Sequence, residues 1–122
     1  MKILQIKKSA EFQKISKENE KFHSKTVLLL SSPTPSFYFQ DITKKKNAQD
    51  FCRVGYTVSK QVGNAVARNR AKRRLREAVR ELFPIYAKLH RDYVLIARRE
   101  IAEADYDKIV ADLKFCLKRI KV

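Results

Sequence analysis

Between Phe51 and Ser59 the chain alternates, with Cys52, Val54, Tyr56 and Val58 on one side and Phe51, Arg53, Gly55, Thr57 and Ser59 on the other. That period of two predicts a strand. A few residues later the period changes. Ala67, Ala71, Leu75, Ala78, Val79 and Leu82 recur at helical spacing and form one apolar arc, which predicts a helix from about Ala65 to Phe83. Asn64 is placed to cap its start, and Pro84 is expected to stop it. Tyr93–Ala97 is a continuous apolar run, the pattern of a strand covered on both faces. Asp105 then caps a last helix to about Ile120, with Tyr106, Ile109, Leu113, Cys116, Leu117 and Ile120 as its buried stripe.

The N-terminal half is less regular. Ser9 opens a short helix to about Lys17 with Phe12 and Ile15 on one side, and Lys25–Leu30 reads as a strand. Ser31–Pro35 breaks that strand, Phe37–Gln40 suggests a short or edge strand, and Thr43–Asp50 is polar and turn-like. Residues 31–50 are therefore expected to form an extended loop insertion. The resulting order of helices and strands is α+β, in one compact domain over residues 1–122. Helices pack on a small, mostly antiparallel sheet. One parallel pair, Phe51–Ser59 with Tyr93–Ala97, is joined through the central helix.

Charge changes this picture. The chain carries 28 Lys and Arg against 13 Asp and Glu, a net charge of +15 on 122 residues. Lys60, Arg68, Arg70, Lys72, Arg73, Arg74, Arg76 and Arg80 fall within one stretch of 21 residues whose single acid is Glu77. On a helical projection Asn69, Arg73, Arg76 and Arg80 share an arc beside the apolar one, while Arg70 and Arg74 lie near Glu77 and Glu81, where ion pairs are available. Arg68 falls close to the apolar arc but in the first turn. Crowding arginine at i,i+3 and i,i+4 costs helix stability, and a polyanionic partner is the simplest reason to keep it. An anionic membrane is a poorer fit, because the helix lacks a wide apolar face with aromatic anchors. No stretch has signal-peptide character or the length of a membrane span, and a cytoplasmic location is expected. Cys52 and Cys116 read as buried apolar thiols, neither a disulfide nor a metal pair.

No catalytic pattern stands out. The chain has two glycines and no phosphate-cradling loop, and His23 and His90 lie far from any metal spacing. Glu100, Glu103, Asp105 and Asp107 suit the N-terminal end of the last helix. The residues alone leave several binding functions open. These are a ribosomal or RNA-chaperone module and a helix-in-groove DNA binder; a nuclease in its own right fits least.

Val54–Arg80, VGYTVSKQVGNAVARNRAKRRLREAVR, closely resembles the signature of the bacterial ribonuclease P protein component. In that signature a strand ends in a V-S-K-like motif and is followed by V-G-N-A-V, R-N-R and K-R. The likeness extends more weakly to Glu11-Phe12-Gln13, to Asp92–Ala97 and to the closing helix. Ser16 stands where the family often has a second aromatic, and Ser31–Asp50 is longer than usual.

The resemblance implies a fold like domain 2 of ribosomal protein S5, with a left-handed β-α-β crossover. It also implies the small subunit of an endonuclease that removes 5′ leaders from precursor tRNA. In that enzyme the catalytic RNA and the substrate phosphates hold Mg²⁺, and no protein side chain is catalytic. By the same resemblance Lys60, Asn64, Arg68, Asn69, Arg70, Lys72, Arg73, Arg76 and Arg80 contact the RNA, and Phe12 and Tyr56 line a cleft for the single-stranded leader. The implied partners are the catalytic RNA and the leader; neither a membrane nor a further protein is required.

Overall fold

In the computed structural model, which describes residues 2–6, 20–35 and 50–120, the apolar run ending at Ala97 becomes the middle strand of a five-stranded sheet. The strands are β1 (Lys2–Gln5), β2 (Glu20–His23), β3 (Val27–Pro33), β4 (Phe51–Thr57) and β5 (Arg91–Ala97), and the helices are α1 (Ala65–Tyr86) and α2 (Tyr106–Lys118). Short 3-10 turns occupy Lys60–Val62 and Arg99–Ala102. The spatial order is β1-β4-β5-β3-β2. The expected parallel neighbours are there: β4 and β5 pair Val54 with Tyr93 and Tyr56 with Leu95, and α1 connects them.

One face of the sheet carries both helices. Val27 and Leu29 of β3, Cys52 and Val54 of β4, and Tyr93 and Leu95 of β5 pack against Leu75, Ala78, Val79 and Leu82 of α1 and Ile109, Leu113, Cys116 and Leu117 of α2. The Phe83 and Tyr93 rings meet edge to face at 5.0 Å. Both cysteines are free and buried, as expected, and burial pushes the Cys52 thiol up to about 11. Each fully buried large apolar side chain in such a layer contributes roughly 1.5–3 kcal/mol. Leu75, fully enclosed, sits at the centre of this contact. Leu75→Ala is expected to cost roughly 2–5 kcal/mol, to be read as a lower urea midpoint.

Polar groups tie the layers together. Asp112 of α2 accepts from the Thr26 backbone N–H at 3.0 Å and the Thr26 hydroxyl at 2.7 Å, and pairs with Lys108 at 2.9 Å. Burial alone would raise this carboxyl, but the bonds from Thr26 and Lys108 outweigh it and hold the group below the ordinary carboxylate range. On the opposite face of the sheet Arg53 and Asp92, both buried, form a two-pronged ion pair. Arg53 Nε lies 2.8 Å from Asp92 Oδ1, which also accepts from the Thr34 hydroxyl at 2.9 Å.

Several expectations need correction. The sheet is evenly mixed instead of mostly antiparallel, because the unassigned segment Lys2–Gln5 adds a second parallel pair alongside β4. Glu20–His23 is likewise a strand, antiparallel to β3. Ser31–Pro35 does not break β3 at Ser31: the strand continues to Pro33, paired with Arg91–Tyr93. The buried Ser31 side chain is satisfied across the sheet, its Oγ accepting from Arg91 Nε at 3.1 Å. Pro84 lies inside α1, which runs to Tyr86. Its missing N–H removes one bond from the last turn only, and the Ala87 N–H closes that turn on the Phe83 carbonyl. The helix expected over Ser9–Lys17, the strand over Phe37–Gln40 and nearly all of the 31–50 insertion beyond Pro35 lie outside the described residues. So does Phe12.

Candidate nucleic-acid interface

The approach to α1 is built by its sequence. Val62 is buried and anchors the Lys60–Val62 turn. Gly63 then adopts φ 145°, and a side chain there would meet Ala67 Cβ at 3.0 Å, so glycine is required at this junction. Asn64 caps the helix as expected, its Oδ1 accepting the Ala67 N–H at 2.9 Å. The first turn contains no acid, so no carboxylate there offsets the positive end of the helix dipole.

Along the helix the apolar arc is buried at Ala71, Leu75, Ala78, Val79, Leu82 and Phe83. Asn69, Arg70, Arg73, Arg76 and Arg80 are exposed, and Arg68 and Lys72 are half-buried. Among the described residues none of these cations has a carboxylate within ion-pair distance. The pairs available to Arg70 and Arg74 do not form. Arg74 donates instead to the Ala104 carbonyl at 2.9 Å, and Glu81 accepts from the Tyr106 hydroxyl at 2.9 Å. Arg68 projects partly inward, and its Nε is enclosed without a partner. Lys60 is exposed on the preceding turn. The result is a rigid row of uncompensated cations on a helix fixed by its other side.

Tyr56 belongs to this surface. It is half-buried on the helix-bearing face of the sheet, with the Arg76 guanidinium 5.7 Å from its ring centre. Burial pushes the phenol up to about 12 while Arg76 and Arg80 pull it down. It therefore stays neutral near pH 7 and keeps its proton for donation. With Ile3, Leu4, Gln5, Val54, Arg76, Val79 and Arg80 it lines a cleft of about 230 Å³ between β1 and α1.

A second concave surface lies at the opposite end of the chemistry. Leu28 and Ile96 project from the face turned away from the helices and pack beside Leu30 and Val94. Together with Ser59, Gln61, Arg98, Arg99 and Glu100 they line a cleft of about 550 Å³. Arg98 faces Glu100 at 3.9 Å and His23 at 3.5 Å. The sequence reading passed over this group. The signal was the pair of arginines directly after the central strand.

Residues 1–121 match the family described as Ribonuclease P. The chain belongs to the ribonuclease P protein family. It is 41% identical over 115 residues to the ribonuclease P protein component of Paramagnetospirillum magneticum, covering 94% of this chain and 80% of that one. It is 34% identical over 117 residues to that of Halalkalibacterium halodurans, covering 96% and 87%. Among solved structures, the RNase P protein of Staphylococcus aureus superposes with a TM-score of 0.73 at 30% identity, covering 93% of this chain and 92% of that one. That of Thermotoga maritima superposes at 0.76 with 24% identity over 97% and 98%, a likeness of fold. The membership accords with the α+β architecture, and the family signature falls on β4, the capped junction and the cationic side of α1.

Proposed function

We propose that this chain is the protein subunit of the ribonucleoprotein endonuclease that removes 5′ leaders from precursor tRNA, with the catalytic RNA carrying the chemistry. The observation that carries the reading is the row of exposed, carboxylate-free cations on α1, presented by a family member. Arg70, Arg73, Arg76 and Arg80, with Lys60 and Lys72, dock the catalytic RNA by holding phosphates, which positions the protein without reading sequence. Arginine suits this because its planar fork grips a phosphate through two parallel bonds. The single-stranded leader lies in the cleft beside Leu28 and Ile96, where apolar surface supports unpaired bases and Arg98 and Arg99 track the backbone. Tyr56, on the other face of the sheet, goes with the docking surface, not the leader. No further protein is required.

Mg²⁺ is assigned to the RNA and the substrate phosphates. Three of the described acids have other partners: Asp105 caps α2 by accepting the Lys108 N–H at 2.8 Å, Glu100 faces Arg98, and Asp112 is held by Thr26 and Lys108. Among the described residues no group of three His, Cys, Asp or Glu side chains is placed to hold a metal ion.

The test is to add the purified chain to a ribonuclease P catalytic RNA at low Mg²⁺ and follow precursor cleavage. Faster removal of the leader, with no cleavage by the protein alone, is the expected result; an unchanged rate would overturn the reading. Neither histidine is expected to matter for turnover. His90 sits at φ 60° against Phe51, with ring centres 5.0 Å apart, so His90→Asn, which tolerates that backbone, is the suitable variant beside His23→Ala. Both should leave turnover nearly unchanged. A loss of roughly 100-fold at unchanged stability, the size of a general acid–base contribution, would show a catalytic role for the protein.

A further inference from the structure

The cleft between β1 and α1 is more than a seam between two elements. Its walls differ in chemistry. Ile3, Leu4, Val54 and Val79 supply apolar surface, Tyr56 adds a ring and a hydroxyl with no protein partner among the described residues, and Arg76 and Arg80 stand at the rim without a carboxylate. Its volume of about 230 Å³ is below the roughly 300–1,000 Å³ typical of pockets for drug-sized ligands. It suits one flat ring and excludes a folded element. A ring carrying a phosphate would satisfy both walls at once, with apolar and aromatic contact inside and a guanidinium pair outside.

We infer that this cleft receives a single unpaired nucleotide of the RNA on which α1 docks, its base against Tyr56 and the β1 wall and its phosphate between Arg76 and Arg80. The inference rests on the docking reading above and deepens it. Arginines on a helix alone would give a sequence-blind grip. A seated base fixes the register of that grip, because only an unstacked nucleotide at one point of the RNA can enter.

The experiment uses the full chain and a ribonuclease P catalytic RNA, with affinity measured at several salt concentrations and each variant checked by thermal melting. Tyr56→Leu keeps apolar fill and removes the ring. It should weaken binding about tenfold, the scale of one lost base–aromatic stack, and leave the salt slope unchanged. Tyr56→Phe should bind within about threefold of the native chain, since the stacking face remains. Arg80→Gln should weaken binding and lower the slope by roughly 0.7–0.9. If Tyr56→Leu melts normally and binds like the native chain while Arg80→Gln weakens binding, the docking surface stands and the nucleotide pocket is refuted. If neither variant changes affinity, the docking reading falls with it. If Tyr56→Leu melts early, ultraviolet cross-linking of the native complex decides between pocket and docking alone: a cross-link from Tyr56 to one unpaired nucleotide is expected, and RNA cross-links that exclude Tyr56 would refute the pocket. A tenfold loss in Tyr56→Phe would overturn stacking in favour of the hydroxyl, and an unchanged Arg80→Gln would refute the pocket.

Discussion

Asp92→Ala is expected to destabilise the protein by about 3–5 kcal/mol, because it breaks a buried ion pair by removing the carboxylate that holds both the Arg53 guanidinium and the Thr34 hydroxyl. Arg53 is 2% exposed and Asp92 fully buried, and the pair bridges β4 and β5 while Thr34 bonds the same carboxylate. The bonds lost are charge-assisted and buried, so the penalty should exceed that of removing a neutral hydrogen bond, about 1 kcal/mol. The double replacement Arg53→Met, Asp92→Leu should recover much of the loss, because an apolar pair of similar volume has no charge to desolvate. Urea unfolding of the three proteins checks this. Equal stability of Asp92→Ala and the native chain would contradict this and show that the Arg53–Asp92 pair does not hold β4 to β5.

Which parts of this architecture could be read in the sequence follows from where one periodicity dominates. The Phe51–Thr57 strand, α1, the Tyr93–Ala97 strand and α2 are each longer than their ambiguity, and each has a marked start or end, such as Asn64 or Asp105. Lys2–Gln5 and Glu20–His23 were not legible. Four residues give too few periods, and these segments are strands only because β4 and β3 offer a hydrogen-bonding edge. Ser31–Pro33 misled because serine and proline usually signal turns, whereas here Arg91 and Asp92 across the sheet satisfy the buried hydroxyls of Ser31 and Thr34. The cationic row was legible because charge of one sign at helical spacing needs no tertiary information. Two features of the site did need it. Arg74 turns to the Ala104 carbonyl, and Tyr56 shares the helix-bearing face of the sheet with Arg76. The alternation of β4 placed Tyr56 beside Cys52 and Val54 but could not say which element would cover that face.

The second large effect concerns the helix surface, and it separates binding from folding. Arg73 and Arg76 are exposed and lie off the apolar arc. Replacing both with alanine should cost the fold little, with loss of the Arg76–Tyr56 contact adding about 0.5–1 kcal/mol. RNA affinity should respond strongly. Two lost phosphate contacts should lower the magnitude of the log–log salt slope by roughly 1.4–1.8, which near 0.1 M salt corresponds to roughly 30-fold weaker binding. Leu75→Ala is the mirror image, losing stability while the folded fraction keeps the native slope.

The central claim, that the cationic side of α1 is an RNA-docking surface, is tested most directly by titrating catalytic RNA with the native chain and the Arg73→Ala, Arg76→Ala variant over a series of salt concentrations. The account predicts a shallower slope and weaker binding for a variant that melts close to the native temperature. Native affinity and native slope in that variant would contradict it and leave this face of the helix a solvated surface.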